Sequence, residues 1–433
     1  MHRILYGILA TAIFLAVSAT AHAADKPNII LIMADDIGYE CFGCYGGTSY
    51  QTPVLDRLAR HGMRFEHCYA QPLCTPTRVK LMTGKSNVRN YVTFSILKRG
   101  ERTFGHMMQE AGYKTAVAGK WQLYGSEQYP PSVRGKGTLP RDAGFDRYCL
   151  WQVQELKERY WGPYLDIDGQ TKQFPKDVFG PDVVAQYIMD FMEQNQDRPF
   201  FVYYPMILVH DPFVKTPDSK KGEQTAQQNF GDMVAYMDKL VGRIVDQVEK
   251  LGLSQKTVIM FTGDNGTHPR IRSHMGDQVI QGGKGLTTDA GTRVPLIAHW
   301  PGTIPAGRVS DALIDFSDFY PTLAALSGAK IDPNAVDGQS FLPQLRGMKG
   351  PARDWIHIYY CPRPPGTKPV RFTRDQRWKL YDNGDLFDVA NDVLEQQPIR
   401  QEPPNSPAAQ ARAKLQKALD SMPATGQSLL RFE

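Results

Sequence analysis

Two acidic clusters stand directly after apolar runs. Asp35-Asp36 closes Asn28–Ala34 (NIILIMA), and Gly263-Asp264-Asn265-Gly266 closes Thr257–Thr262 (TVIMFT). If both runs are strands of one sheet, four hard oxygen donors reach the same edge. Adjacent carboxylates repel unless a cation neutralises them, and an all-oxygen set suits Ca²⁺ or Mg²⁺ rather than Zn²⁺. Spacing alone does not make the strands neighbours, and D-N-G is also a common turn sequence. A third centre is Leu73-Cys74-Thr75-Pro76-Thr77-Arg78. Thr75 can cap a helix and Pro76 suits its first turn, which puts Cys74 at a helix N-terminus, where free N–H groups favour anions. Arg78, one turn in, can point back to the same spot. The plain alternative is a buried free thiol.

The elements that must hold these residues alternate along the chain. Continuous apolar runs closed by polar residues read as strands buried on both faces: Asn28–Ala34, Lys114–Ala118, Pro199–Pro205, Thr257–Thr262 and Pro295–Trp300. Helical spacing marks Thr52–His61, Thr103–Ala111, Pro181–Gln194 and Phe230–Leu251. Alternation of this kind predicts an α/β fold with a mostly parallel sheet. In such sheets ligands bind beyond the carboxyl ends of the strands, where Asp35, Asp36, Asp264 and Asn265 fall. After about residue 350 the texture changes to a Pro-rich connector (Pro362–Pro369), short strand-like pieces (Arg377–Asp382, Asp385–Asp388) and a terminal helix (Ala408–Leu419). We expect a catalytic domain over residues 24–350 and a small α+β subdomain over 351–433. The stretches Tyr124–Arg141 and Tyr148–Phe174 read as loops rich in aromatics, for packing or for stacking on sugar rings.

Composition narrows the partners. The 433 residues carry 50 Lys+Arg against 45 Asp+Glu, a formal charge of +5, which leaves no polybasic footprint for nucleic acid. The N-terminus has a basic start, a short apolar core from Ile4 to Val17 and an Ala21-His22-Ala23 end. This reads as a signal peptide over residues 1–23, cut after Ala23 for export to the periplasm or outside. No later segment is long and apolar enough to span a membrane, so no stable membrane insertion is expected. Export permits disulfides among Cys41, Cys44, Cys68, Cys149 and Cys361, but the sequence does not say which pair.

At this point the motifs carry a resemblance. Cys74-Thr75-Pro76-Thr77-Arg78 resembles the Cys-x-Pro-x-Arg signature of formylglycine-dependent sulfatases, members of the alkaline phosphatase superfamily. Thr83-Gly84-Lys85 is similar to the family's continuation. Asp35-Asp36-Ile37-Gly38-Tyr39 with Cys44-Tyr45-Gly46 resembles its first metal segment, and Asp264-Asn265-Gly266 its second. Gly119-Lys120-Trp121, Gly283-Lys284-Gly285, Gly291-Thr292-Arg293-Val294-Pro295 and Leu380-Tyr381 through Leu386-Phe387-Asp388 resemble further family blocks, in order along nearly the whole chain. The resemblance implies a large mixed, mostly parallel sheet flanked by helices, with a small C-terminal subdomain. The implied activity is sulfate ester hydrolysis, most plausibly on a carbohydrate.

The same resemblance implies residue roles. Asp35, Asp36, Asp264 and Asn265 would hold a Ca²⁺ ion (Mg²⁺ being the alternative), together with the modified Cys74. A maturation enzyme would oxidise Cys74 to formylglycine, whose hydrate attacks the sulfur. Arg78, Lys120 and Lys284 would offset charge on the sulfate, and His210 would contact substrate and assist the leaving group. One position departs: the family's Gly-Lys-Trp-His block here reads Gly119-Lys120-Trp121-Gln122. Glutamine accepts no proton at neutral pH, so another base (His268 or His274) replaces it, Gln122 positions the nucleophile by hydrogen bonds, or turnover is slow. Two other readings stand beside the sulfatase: a phosphoester or phosphonate hydrolase of the same superfamily, and a catalytically silent sulfoglycan-binding homologue.

Overall fold

The computed structural model describes residues 26–364 and 366–426; the expected signal peptide lies outside them. The strands are β1 (Asn28–Ala34), β2 (Met63–Tyr69), β3 (Lys114–Lys120), β4 (Arg147–Trp151), β5 (Tyr164–Ile167), β6 (Gln170–Gln173), β7 (Phe200–Pro205), β8 (Thr257–Gly263), β9 (Arg272–Met275), β10 (Gln278–Gln281), β11 (Leu296–His299), β12 (Arg308–Asp315), β13 (Ile356–Tyr360), β14 (Val370–Arg374), β15 (Trp378–Tyr381) and β16 (Leu386–Asp388). Ten form one sheet in the order β12-β2-β11-β8-β1-β7-β3-β4-β5-β6.

The centre of that sheet is parallel: β1 pairs with β7 on one side and β8 on the other, and β3 pairs with β7 and β4. Every residue of β1 is buried, which explains its unbroken apolar run: helices cover both faces. Ile30 and Ile32 face the helices Gly180–Gln194 and Ala226–Lys250, while Ile29, Leu31 and Met33 face Cys74–Thr83, Phe104–Glu110 and Phe319–Ser327. The expected α/β architecture is therefore the one observed, and β11, antiparallel to both β8 and β2, makes the sheet mixed.

Three expectations need correction. The stretch Tyr148–Phe174 is not a loop: it contributes β4, β5 and β6, which extend the sheet to its edge. Short hairpin strands with little apolar alternation, such as the fully exposed β6, leave no periodic signal. The helix carrying Cys74 begins at Cys74 itself with Leu73 as its N-cap, so Thr75 is not the cap; its hydroxyl instead accepts from Ser95 N at 3.1 Å. All six cysteines are free thiols.

After the main sheet, β13-β14-β15-β16 form a four-stranded antiparallel sheet backed by the helix Pro407–Asp420. Arg374, on β14 and buried, lies over the Tyr69 ring of β2 at 3.9 Å and pairs with Asp289, so a buried charge joins the small sheet to the large one.

Candidate active site

Strand polarity explains how distant residues meet. β1, β3, β7 and β8 are parallel, so Asp35-Asp36, Lys120, His210 (five residues past β7) and Asp264-Asn265 leave the sheet at one edge. β2 points the same way, because it is antiparallel to β11, itself antiparallel to β8; Cys74 follows it. β11 runs in the opposite sense, so the segment before it, with Lys284, arrives at that edge too.

The register of β1 on β8 ends with Ala34 opposite Gly263, and Asp264 N donates to Ala34 O at 2.9 Å. This sets the acidic clusters side by side. Asp264 Oδ1 accepts from Asp36 N at 3.0 Å, and Asn265 Nδ2 donates to Asp36 Oδ1 at 2.9 Å. Asp36 adopts φ +59°, a left-handed conformation that costs a non-glycine residue energy and turns successive carboxylates inward. Lys120 Nζ stands 2.8 Å from Asp35 Oδ2, Arg78 Nη2 lies 3.1 Å from Asp264 Oδ2 and 3.8 Å from Asp35 Oδ1, and Lys284 Nζ lies 2.5 Å from Asp36 Oδ2. Three carboxylates thus face three cations.

Electrostatics follow from that crowding. Burial alone would push Asp35 and Asp36 up, but the surrounding cations outweigh it and hold both below the usual carboxylate range, Lys120 foremost for Asp35 and Lys284 beside Asp36. Asp264 goes the other way, to about 8, because burial and then Asp35 outweigh Arg78. His210 is held below its ordinary value, chiefly by burial. Its Nε2 lies 3.2 Å from Lys284 Nζ, from which a neutral ring can accept, while its Nδ1 faces both Asp211 O at 2.6 Å and Arg159 Nη2 at 3.2 Å.

Cys74 is buried, with its thiol pKa raised chiefly by burial. One ligand atom from each of Asp35, Cys74 and Asp264 lies within 4.8 Å of the others, and the same holds for Asp35, Asp36 and His210. Asp35 Oδ1 and the amide oxygen of Asn265 are buried and accept no hydrogen bond, and Asp35 Oδ2 has only the Lys120 ammonium beside it. Buried acceptors left unsatisfied are costly, and a divalent cation would satisfy them, so the donor set fits a hard metal ion. Cys74 Sγ lies 3.0 Å from Gln122 Oε1. Gln122, at φ +55°, leaves β3 alongside Gln152, with Gln122 N bonded to Gln152 O at 3.1 Å.

Ten of the twelve residues singled out from sequence therefore converge. His268 and His274 do not join Cys74: the His268 ring packs edge-on against Phe213, with Nδ1 accepting from Arg270 N, and His274 sits on the β9–β10 hairpin. Trp151 and Tyr160 are buried packing residues. A cleft of about 420 Å³ beside Gln152 is lined by Tyr124, Arg134 and Tyr164 among others. Sequence reasoning missed Arg159, whose guanidinium lies 4.4 Å over Trp151 and 3.2 Å from His210 Nδ1; no motif marks it.

A mixed sheet with acidic, cationic and nucleophile-bearing loops gathered at one edge is the arrangement expected of an alkaline phosphatase-like hydrolase. Comparison with known proteins makes this specific. Residues 27–329 match the Sulfatase family and residues 283–424 the family described as N-sulphoglucosamine sulphohydrolase, C-terminal. The chain belongs to the sulfatase family and is a sulfuric ester hydrolase. Among its relatives, arylsulfatase A of Homo sapiens is 33% identical over 404 residues, covering 86% of this chain and 77% of that one. N-acetylgalactosamine-6-sulfatase of Canis lupus familiaris is 32% identical over 376 residues, covering 78% and 69%. The solved structure of Ps i-CgsB in complex with k-i-k-neocarrahexaose superposes with a TM-score of 0.75 at 25% identity, over 93% of this chain and 94% of that one.

Proposed function

We propose that this chain is an exported sulfatase that cleaves sulfate esters of carbohydrates with a formylglycine made from Cys74 and a bound Ca²⁺. The observation that carries the reading is the convergence of Cys74, at a buried helix N-terminus, with three carboxylates, one amide and three cations at one sheet edge. The carbohydrate assignment draws support from two similar proteins, one named as an N-acetylgalactosamine-6-sulfatase and one solved with a neocarrahexaose. Residues 1–23 are the export signal, 24–350 the catalytic domain and 351–433 the small subdomain in this reading.

Asp35, Asp36, Asp264 and Asn265 would hold the Ca²⁺, with the modified side chain at 74 completing the set. The ion would supply Lewis-acid polarisation and a lowered nucleophile pKa, and the modification a hydroxyl nucleophile in place of a thiol. The protein's own groups do the rest. With a divalent cation bound and Asp264 ionised by it, the three carboxylates balance Arg78, Lys120 and Lys284, and the ion makes the site net positive and receptive to a sulfate. Those cations sit in a pocket from which water is largely excluded, where fixed charges stabilise the equatorial oxygens of the transition state without reorganising. Arg78 is aimed by its second bond, Nη1 to Lys120 O at 2.9 Å. Lys284 Nζ shares a hydrogen bond with His210 Nε2, which places a mobile proton beside the departing oxygen. Gln122 orients the nucleophile through its amide and takes no proton.

Mass spectrometry of the tryptic peptide Phe65–Arg78 from the native host tests the reading. Loss of the thiol in favour of the aldehyde is expected, and an unmodified cysteine would sink it. Parallel assays on aryl sulfate and aryl phosphate separate it from the phosphoester reading. Gln122, where a base would be needed, favours as second reading a silent sulfoglycan-binding homologue; matured protein that binds sulfated glycan without releasing sulfate would establish that one instead.

A further inference from the structure

The C-terminal strand pair around Leu380-Tyr381 and Leu386-Phe387 has no place in the chemistry above, yet it contains a costly feature. Lys379 on β15 is fully buried, against the Phe372 ring at 4.0 Å and the Tyr381 ring at 4.9 Å, and its ammonium pairs with Glu395 at 2.7 Å. A buried ion pair is seldom worth more to stability than well-packed apolar side chains, so its presence calls for a positional reason. The remaining contacts supply one. Lys379 Nζ donates to Thr287 O, Tyr381 Oη lies 2.9 Å from Thr287 Oγ1, and Tyr381 Oη also donates to Glu395 Oε2 at 2.5 Å. Two residues further, Arg374 grips Asp289.

Thr287 is three residues from Lys284, across a turn closed by Leu286 N to Gly283 O at 2.8 Å. The other side of that turn is tied to the catalytic core: Lys284 N donates to Thr267 O at 3.0 Å, and Gly285 N to Pro72 O at 2.8 Å, two residues before Cys74. The turn is thus clamped between the segment that carries Cys74 and the small sheet.

We propose that Lys379, Tyr381 and Glu395 are positioning residues: through Thr287 they fix the turn that aims Lys284 at the sulfate-binding edge, so that the C-terminal sheet completes the active site from behind. This rests on the role given to Lys284 above. A misplacement of about 1 Å in a group contacting the transition state can cost about 10²-fold in rate, whereas a slack turn costs part of that.

The variants are Tyr381→Phe, which keeps the ring and removes both hydroxyl bonds, Thr287→Val on the opposite side of the contact, and the double variant Lys379→Met/Glu395→Gln. Hydrogen exchange on protein retaining the Cys74 thiol reads the clamp without reference to turnover. Amides in 285–289 should exchange about tenfold faster in Tyr381→Phe while the thermal midpoint stays near wild type, because local opening is reported separately from global unfolding. Kinetics of matured enzyme read the consequence. Turnover of phenyl sulfate should fall about tenfold with little change in KM, and turnover of 4-nitrophenyl sulfate, whose leaving group needs less help, should fall less; Lys284→Met should show the same pattern, larger. Unchanged exchange in 285–289, or equal losses on the two esters, overturns the proposal. If exchange quickens while Lys284→Met shows no dependence on the leaving group, the role given to Lys284 fails and with it the catalytic meaning of the clamp.

Discussion

Replacing Lys120 by methionine tests the idea that protein cations and a metal ion share one set of carboxylates. Lys120 Nζ stands 2.8 Å from Asp35 Oδ2 with both side chains fully buried, and Asp35 Oδ1 accepts no hydrogen bond. Methionine keeps the volume and removes the charge, leaving Asp35 buried with Arg78 at 3.8 Å as a distant partner. Breaking a buried pair in this way typically costs about 3–5 kcal/mol. An unfolding entropy of about 2.1 cal/mol/K per residue over a chain of this size turns that into a fall of about 3–6 °C in the thermal midpoint. The figure applies to metal-free protein in chelator. With saturating Ca²⁺, the ion takes over the neutralisation of Asp35, and the gap between variant and wild type should narrow by at least half. Ligand at about 100 times its Kd adds about 2.7 kcal/mol to either protein, and the variant, relieved of a competing cation, gains more. Calorimetry of both proteins in chelator and in CaCl₂ measures all four midpoints. An equal gap in the two conditions would falsify the placement of the ion at Asp35.

Three further outcomes are expected. Gln122→His should raise kcat on an aryl sulfate about tenfold or more, since histidine tolerates the left-handed backbone and adds a base beside residue 74; unchanged turnover puts the base elsewhere. His357, buried with neither ring nitrogen hydrogen-bonded, is held at about 3, by burial first and then by Lys80 and Arg371. The unfolded imidazole titrates near 6.5, so between those values the unfolded chain binds the extra proton and the native state loses about 1.4 kcal/mol per pH unit as pH falls. Urea unfolding of wild type and His357→Phe should diverge by that slope from about pH 6 to about pH 4, and a constant difference contradicts it. Gly119→Ala should cost at least about 4 kcal/mol or prevent soluble expression, because a Cβ there would meet Pro205 O at 1.8 Å and the backbone is at φ +126°; a midpoint equal to wild type would show that β3 and β7 are not so closely packed.

What the chain determines by itself is local. Apolar runs long enough for one strand, buried on both faces, announced β1, β7, β8 and β11, and helical spacing announced the helices Pro53–Arg60, Gly180–Gln194 and Ala226–Lys250. Residue types taken singly left ordinary turns and a buried thiol open, and the order of the motifs from Asp35 to Asp388, through its resemblance to the sulfatases, named the chemistry. The four-residue strands β5 and β6 escaped, since β5 is too short to show a period and β6, exposed along its whole length, has no apolar side to read. The tertiary structure alone decided which ends meet. Asp36 and Asp264 are 228 residues apart, and only the parallel register of β1 on β8 brings them into contact. Nothing local links Lys379 to Thr287, 92 residues away, for a buried lysine on a strand reads as an ordinary surface residue until a second sheet covers it. Sequence patterns report the environment of one segment, whereas the sharing of charge between segments is set by sheet order, which the pattern does not encode.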